Sequence, residues 1–267
     1  MIRDITIGQY YPADSLIHRL DPRTKIIGTL AYLVSLFIVN NWGYIVCTAY
    51  LAALILISKV PFKFMVKGLK ALLVLLILTM AINMFLTPGR ILFQWKFIHI
   101  TEEGLESAGL MGLRLVYLIL GASLLTLTTT PNKLTDGLER LLSPLKVFKV
   151  PVHEIAMMMS IALRFIPILL DETDKIMKAQ SARGADFETG GIFKRIRAMV
   201  PLFVPLFVSA FRRANDLALA MEARCYHGGE NRTQMKPLRY NRRDYIAYGI
   251  MAAALALVIV LRVILHW

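Results

Sequence analysis

Five apolar blocks, separated by loops whose positive charges are sorted by side, leave this chain few ways to fold. The blocks run from about Ile26 to Val39, Trp42 to Ile57, Leu69 to Leu86, Gly104 to Thr130 and Tyr245 to Leu265. A helix rising ~1.5 Å per residue needs about 20 apolar residues to cross ~30 Å of hydrocarbon. The first block is short, but Thr24 to Asn41 suffices if Lys25 lays its stem along the apolar region and sends its ammonium to the interface. Hydrocarbon offers no partner for a free peptide group, so each block has to be a helix. The chain therefore reads as all-α, a polytopic membrane protein with about five transmembrane helices.

Composition agrees: 57% of the 267 residues are hydrophobic, more than the ~45–50% of soluble domains. The net charge of +13 would suggest nucleic acid in a soluble protein. Here the rule that basic loops stay inside the cell accounts for it, and no nucleic-acid partner is expected. Arg3, Arg19, Arg23 and Lys25 precede the first block. Lys59, Lys63 and Lys67 lie between the second and third, with Lys70 at the border, and most of the rest lie in 131–243. The other side keeps Arg90, Lys96 and Arg262. Five spans then put the N-terminus in the cytosol and the C-terminus outside, in the cell membrane. The first residues, MIRDITIGQYYPADS, contain no apolar run of the kind a cleavable signal needs. Cys47 and Cys225 suggest no disulfide framework and fit a reducing compartment. The segment 90–101 (RILFQWKFIHIT) reads as a small hairpin or an interfacial stretch, with Trp95 and Phe97 at the outer boundary.

The chain divides into three regions: 1–130 with the first four spans, 131–243 as a cytosolic or interfacial helical coupling domain, and 244–267 as the last span. In the middle region, Leu134, Leu138, Leu141, Leu142 and Leu145 make the stripe of a short amphipathic helix. Two long helices come next, about 151–183 and 193–226. Each has an apolar half broken by proline (Pro167; Pro201 and Pro205) and then a charged half. Read as two further spans, they would bury Arg164 in hydrocarbon, at ~2.5–3.5 kcal/mol. Lying at the inner interface, they keep both of the basic stretches that flank them, 194–197 and 232–243, on one side. Both readings remain open from sequence, the second being preferred.

The two long helices end alike: Ala179-Gln-Ser-Ala182-Arg183-Gly184 and Ala220-Met-Glu-Ala223-Arg224-Cys225. In each, two alanines three apart share a face and an arginine follows in the last turn. One such ending needs no more explanation than the helix dipole's preference for a cation there. Two of them, each closing a long amphipathic helix, point to a partner with two equivalent sockets. The small residues allow close approach, and the guanidinium can form paired hydrogen bonds with a carboxylate.

These endings, with Ser181-Ala-Arg-Gly-Ala-Asp186-Phe187 and the opening stretch Ser15-Leu-Ile-His18-Arg19-Leu-Asp21-Pro22-Arg23-Thr-Lys25, resemble the transmembrane component of energy-coupling factor (ECF) transporters, the CbiQ-like family. The resemblance runs from about Asp14 to the last span. Cys225, standing where that family carries a second glycine, puts the tight turn after Arg224 in doubt. The resemblance implies a non-catalytic scaffold that joins two cytosolic ABC-type ATPases to a separate vitamin-binding membrane subunit. Ala182, Arg183, Gly184, Ala223, Arg224 and Cys225 would contact the ATPases. Met157, Met158, Met159, Phe203, Leu206 and Phe207 would contact the substrate subunit, methionine suiting a surface that accepts varied partners. That the methionines merely fill core or face lipid is an equal alternative.

The sequence has no G-x-x-x-x-G-K-[ST] run, so ATP and its Mg would belong to the partners and no cofactor is expected on this chain. The five histidines (His18, His99, His153, His227, His266) show no ligand spacing, and no metal site is expected. Arg114 is the main charge inside a block, with Asn83 the other polar candidate; a structural role is preferred for Arg114. Gly104, Ala108 and Gly112 make a row of small residues suited to close helix packing. A stand-alone secondary carrier would want broken helices and mid-membrane polar groups. A membrane-embedded enzyme would want converging acids, bases or metal ligands. Neither pattern stands out.

Overall fold

The computed structural model describes residues 10–40, 42–95, 98–185, 187, 191–229, 235 and 237–264. Expectations that touch residues 1–9, Asn41, Lys96, Phe97, Asp186, Arg232, Leu265, His266 and the end of the chain lie outside these residues. Two compact units emerge, one formed by residues 8–138 with 238–267 and the other including 139–237.

In the first unit, α1 (Pro22–Ile38) and α2 (Gly43–Ser58) match the first two apolar blocks. Asp21 caps α1 by accepting the Arg23 N–H at 2.9 Å, and Pro22 supplies a preset first residue. The third block is not one rod. It forms α3 (Phe62–Ala71) and α4 (Leu73–Leu86), which meet at a 63° bend. The apolar rod thus begins at Leu73 rather than Leu69. The reason is in α3: Lys63 and Lys70 share one face, while Met65 on another is fully buried. Such a helix lies along an interface, whereas α4 carries no charge and can enter hydrocarbon. A two-stranded antiparallel hairpin comes after α4, β1 (Ile91–Trp95) with β2 (Ile98–Thr101), as one of the two sequence readings has it. Next come α5 (Glu102–Thr128), α6 (Pro131–Leu142), which begins in this unit, and α9 (Arg242–Ile264). Thr101 caps α5 by accepting the Gly104 N–H at 3.0 Å, and Glu102 and Glu103 suit its positive end.

The helix directions alternate as successive spans require. The N-terminal ends of α1 and α9 are joined through Asp21 and Asp244, and their far ends through an Arg262 bond to the Ile38 carbonyl at 3.1 Å, so the two are parallel. The start of α1 meets the end of α5, where Lys25 Nζ donates to the Thr128 carbonyl at 2.9 Å, so these two are antiparallel. The row Gly104, Ala108, Gly112 is buried, and packing is what it provides. A Cβ on Gly104 would fall 2.8 Å from the Met84 carbonyl oxygen, and one on Gly112 would fall 2.8 Å from Met80 Sδ, so α4 runs against α5. Tyr32, Leu36, Cys47, Leu51, Met65, Leu124 and Leu127 form the buried centre. Arg114 donates through Nε to the Tyr44 hydroxyl at 3.0 Å, near the start of α2. Arg114 itself stands midway along α5, so this bond ties the middle of one helix to the start of another.

The family-like opening stretch works as a clasp. His18 Nε2 donates to the Tyr11 carbonyl at 3.1 Å, and its Nδ1 lies 2.7 Å from the Ser15 hydroxyl. Burial pushes that imidazole below its ordinary value. Arg23 pairs with Asp21 at 3.0 Å and lies 3.9 Å over the Tyr240 ring. Asp244 is 1% exposed and accepts the Asp21 N–H and the Asn241 N–H, each at 2.8 Å.

The second unit is dominated by α7 (Val152–Ala182) and α8 (Ile192–Ala223), preceded by a short 3-10 turn at Ser143–Phe148. At ~1.5 Å per residue each long helix reaches ~45 Å. Among the described residues, three helices are long and apolar enough to cross a membrane: α5, α7 and α9. The α3–α4 pair passes only if its two pieces are taken as one span.

Candidate functional site

The two helix endings singled out in the sequence fold into the same turn. At the end of α7, the Arg183 N–H donates to the Gln180 carbonyl, the Gly184 N–H to Ser181 and the Ala185 N–H to Gln180, each at 3.0 Å. At the end of α8, Arg224 donates to Met221 at 3.1 Å, Cys225 to Glu222 at 2.9 Å and Tyr226 to Met221 at 3.0 Å. The pattern of acceptors is identical. It is the closing arrangement in which the residue after the cap turns left-handed so that the last carbonyls find donors. Gly184 takes φ +89° and Cys225 takes φ +54°. The tight turn that the missing glycine put in doubt is therefore formed, by cysteine in glycine's role.

Each turn presents its arginine outward. Arg183, Arg224 and the alanines before them, Ala182 and Ala223, are exposed, as are Gly184 and Cys225. Neither arginine pairs with a carboxylate among the described residues. A Cβ built on Gly184 would meet nothing within 4 Å. The result is a pair of small-sided prongs, each ending in an unspent five-donor fork.

The spacing of the prongs is set by how α7 and α8 pack. Gln180 Nε2 donates to the Pro201 carbonyl at 3.4 Å. Glu172 accepts from the Ser209 hydroxyl at 2.5 Å and from Arg213 Nη2 at 2.8 Å. Gly229, just past α8, crowds His153 at the start of α7, where an added Cβ would collide with the imidazole ring. His153 Nδ1 in turn lies 2.8 Å from Glu139. Residue numbers fall along one helix as they rise along the other, so the pair is antiparallel. Its two arginines point to opposite ends, up to roughly 35 Å apart along the axes. Glu172, Ser209, Arg213, His153 and Glu139 are positioning residues that sequence reasoning did not single out. Nothing in a single sequence ties a glutamate to an arginine one helix later.

The outer faces of the pair are apolar. On α8, Ile196, Val200, Phe203, Phe207 and Phe211 recur at helical spacing and are all exposed, Phe207 by 63%. On α7, Met158 and Met159 are exposed by 58% and 41%. Met157 and Leu206 differ: both are half-buried, and Leu206 shares the face of buried Leu202 and of Ser209. The six residues proposed as one surface thus divide into four on the open faces and two at their edges. A continuous apolar stripe of this length marks contact with lipid or with another protein.

Comparison with known proteins gives a consistent result. Residues 13–235 match the CbiQ family, described as cobalt transport protein. The chain is 58% identical over 250 residues to the energy-coupling factor transporter transmembrane protein EcfT of Clostridium kluyveri, covering 92% of this chain and 93% of that one. It is 54% identical over 262 residues to the protein of the same name from Ruminiclostridium cellulolyticum, covering 98% of both. With that of Bacillus subtilis the identity is 48% over 264 residues, covering 98% of this chain and all of the relative.

Proposed function

Since the chain belongs to the CbiQ family, as a transmembrane component of energy-coupling factor transporters, we propose that it couples two cytosolic ABC-type ATPases to a separate vitamin-binding membrane subunit. Residues 131–243 form the coupling domain, at the cytosolic interface; in sequence they follow 1–130 with its spans and precede 244–267, the last span. The N-terminus is cytosolic and the C-terminus outside. Arg183 and Arg224 each enter a groove on one ATPase and meet a carboxylate there as a charge-assisted pair. ATP with its Mg binds and is hydrolysed in the partners, not on this chain.

The observation that carries this reading is the identity of the two turns, each projecting an exposed arginine from opposite ends of one antiparallel pair. A two-fold partner needs two like contacts held at a fixed separation, and α7 and α8 provide a rod for that. Closure of the ATPase pair on ATP would draw the prongs together and tilt both helices. The exposed faces carrying Met158, Met159, Phe203 and Phe207, with Met157 and Leu206 at their edges, would pass that tilt to the substrate subunit. Motion of a packed antiparallel pair is a shear movement, which needs no unfolding.

The test is co-purification from membranes of the full complex. Charge-assisted hydrogen bonds are worth ~1.5–3 kcal/mol each, or about ten- to a hundredfold in affinity. The double variant Arg183→Glu, Arg224→Glu should insert normally, lose its ATPase partners and abolish uptake. ATPases retained at wild-type level with uptake intact would refute the assignment.

A further inference from the structure

The membrane unit contains a cavity of about 400 Å3 for which the coupling proposal has no use. That is within the ~300–1,000 Å3 range of pockets that hold a small ligand. α1, α2, α5 and α9 each provide a wall, in the halves nearest the basic loops, and Leu16, Ile17 and Leu20 of the N-terminal clasp close one end. Ile57, Ile246 and Ile250 line it and are 44%, 62% and 57% exposed, so its mouth is apolar and faces sideways. Such a mouth admits hydrocarbon in preference to water.

Three polar features break the apolar lining. Thr24 and Tyr32 line the cavity at 4% and 6% exposure, and among the described residues neither hydroxyl has a hydrogen-bond partner, although both oxygens lie beneath the cavity surface. Lys25, also on the wall and 8% exposed, gives two donors to the His18 and Thr128 carbonyls at 3.2 and 2.9 Å. An ammonium has three donors. Its partners are neutral, and among the described residues it forms no ion pair. Arg243, exposed in the first turn of α9, adds a second cation to the lining. One end of the cavity is thus cationic and rich in donors, and the remainder is greasy.

We propose that this cavity holds one acyl chain of an anionic phospholipid, with the phosphate bound by Lys25 and Arg243. The occupant is a lipid because the mouth opens sideways through isoleucines. It is anionic because Lys25 keeps a spare donor and Arg243 forms no ion pair among the described residues, the nearby Asp21 and Asp244 acting on Lys25 only at a distance. The proposal needs the chain to lie in a membrane, and it does not rest on how the ATPases attach.

The full-length chain purified in mild detergent is the material for the test. Native mass spectrometry should find one phosphatidylglycerol retained per chain. After delipidation, phosphatidylglycerol should raise the melting temperature, whereas phosphatidylethanolamine and inorganic phosphate should not. Arg243→Gln should weaken that binding about fivefold, the factor one cation near an anionic lipid contributes. Ala247→Phe, which fills the cavity from α9, should abolish retention. Four outcomes would overturn the proposal: no lipid retained by the wild type, equal response to both phospholipids, full stabilisation by phosphate alone, or undiminished retention in Ala247→Phe. So would a cross-link from Ala247→Cys to a segment of another subunit seated in the cavity.

Discussion

Gly184 and Cys225 hold the same place at the ends of α7 and α8, with φ of +89° and +54°. For glycine that conformation is free. For cysteine it brings Cβ near a carbonyl oxygen at ~1–2 kcal/mol. The segments beyond the two turns differ as well. After Cys225, Gly228 adopts φ +95° and Gly229 closes against the His153 ring, which Glu139 steadies. At Gly184, an added Cβ would meet open space. The second ending is thus held beyond its turn by contacts with the first turn of α7, whereas the first is tied before its turn, by the Gln180 bond to the Pro201 carbonyl. The need of the last carbonyls for donors fixes the shape of both turns, and residue choice decides only what each costs.

The largest expected effect tests whether the two prongs are functionally as alike as their turns. Arg183→Ala and Arg224→Ala, made singly, should each weaken ATPase binding by about tenfold or more, and by similar factors. Binding measured with purified ATPases checks this. Loss confined to one variant would mean that only one ending is a contact and that the likeness of the turns is geometric.

A smaller effect separates the ending held beyond its turn from the one held before it. Gly229→Ala would force its Cβ into the His153 ring, an overpacking cost of ~1–3 kcal/mol. The melting temperature should fall, and proteolysis should reach the end of α8 before the end of α7. Gly109→Ala, inside α5 with nothing within 4 Å of an added Cβ, is the control and should raise the melting temperature slightly, by the ~0.4–1 kcal/mol a helical alanine gains over glycine. Equal melting of the two variants would show that the fold-back onto His153 carries no load.

Much of this was legible before any coordinates. The long helices run Val152–Ala182 and Ile192–Ala223 where the apolar periodicity puts 151–183 and 193–226. The doubled Ala-x-x-Ala-Arg ending is a local pattern, and local hydrogen bonds realise it. Three features were not legible, each for the same reason. The break at Leu72 depends on Met65 finding a buried place while Lys63 and Lys70 stay out. The clasp depends on Asp244 accepting the N–H of Asp21, on a distant stretch of the chain. The cavity depends on which faces of α1, α2, α5 and α9 come to surround one space. Composition and periodicity report a residue's solvent, but they do not report which distant partner it meets.

The smallest effect is the most direct measure of what the cysteine costs. Cys225→Gly removes the left-handed penalty of ~1–2 kcal/mol in the folded state. It also gives the unfolded chain more freedom, which offsets ~0.4–1 kcal/mol of that gain. The net is a stabilisation between zero and about 1.6 kcal/mol, with the exposed thiol lost and ATPase binding unchanged. The reciprocal change, Gly184→Ala, has the opposite sign on both counts and should cost about 1 kcal/mol, read as a lower melting temperature. If both substitutions act in these directions, one turn with two occupants explains both endings. If instead Cys225→Gly destabilises the protein, the cysteine side chain must make a contact of its own. The likeness between the two prongs would then end at the backbone.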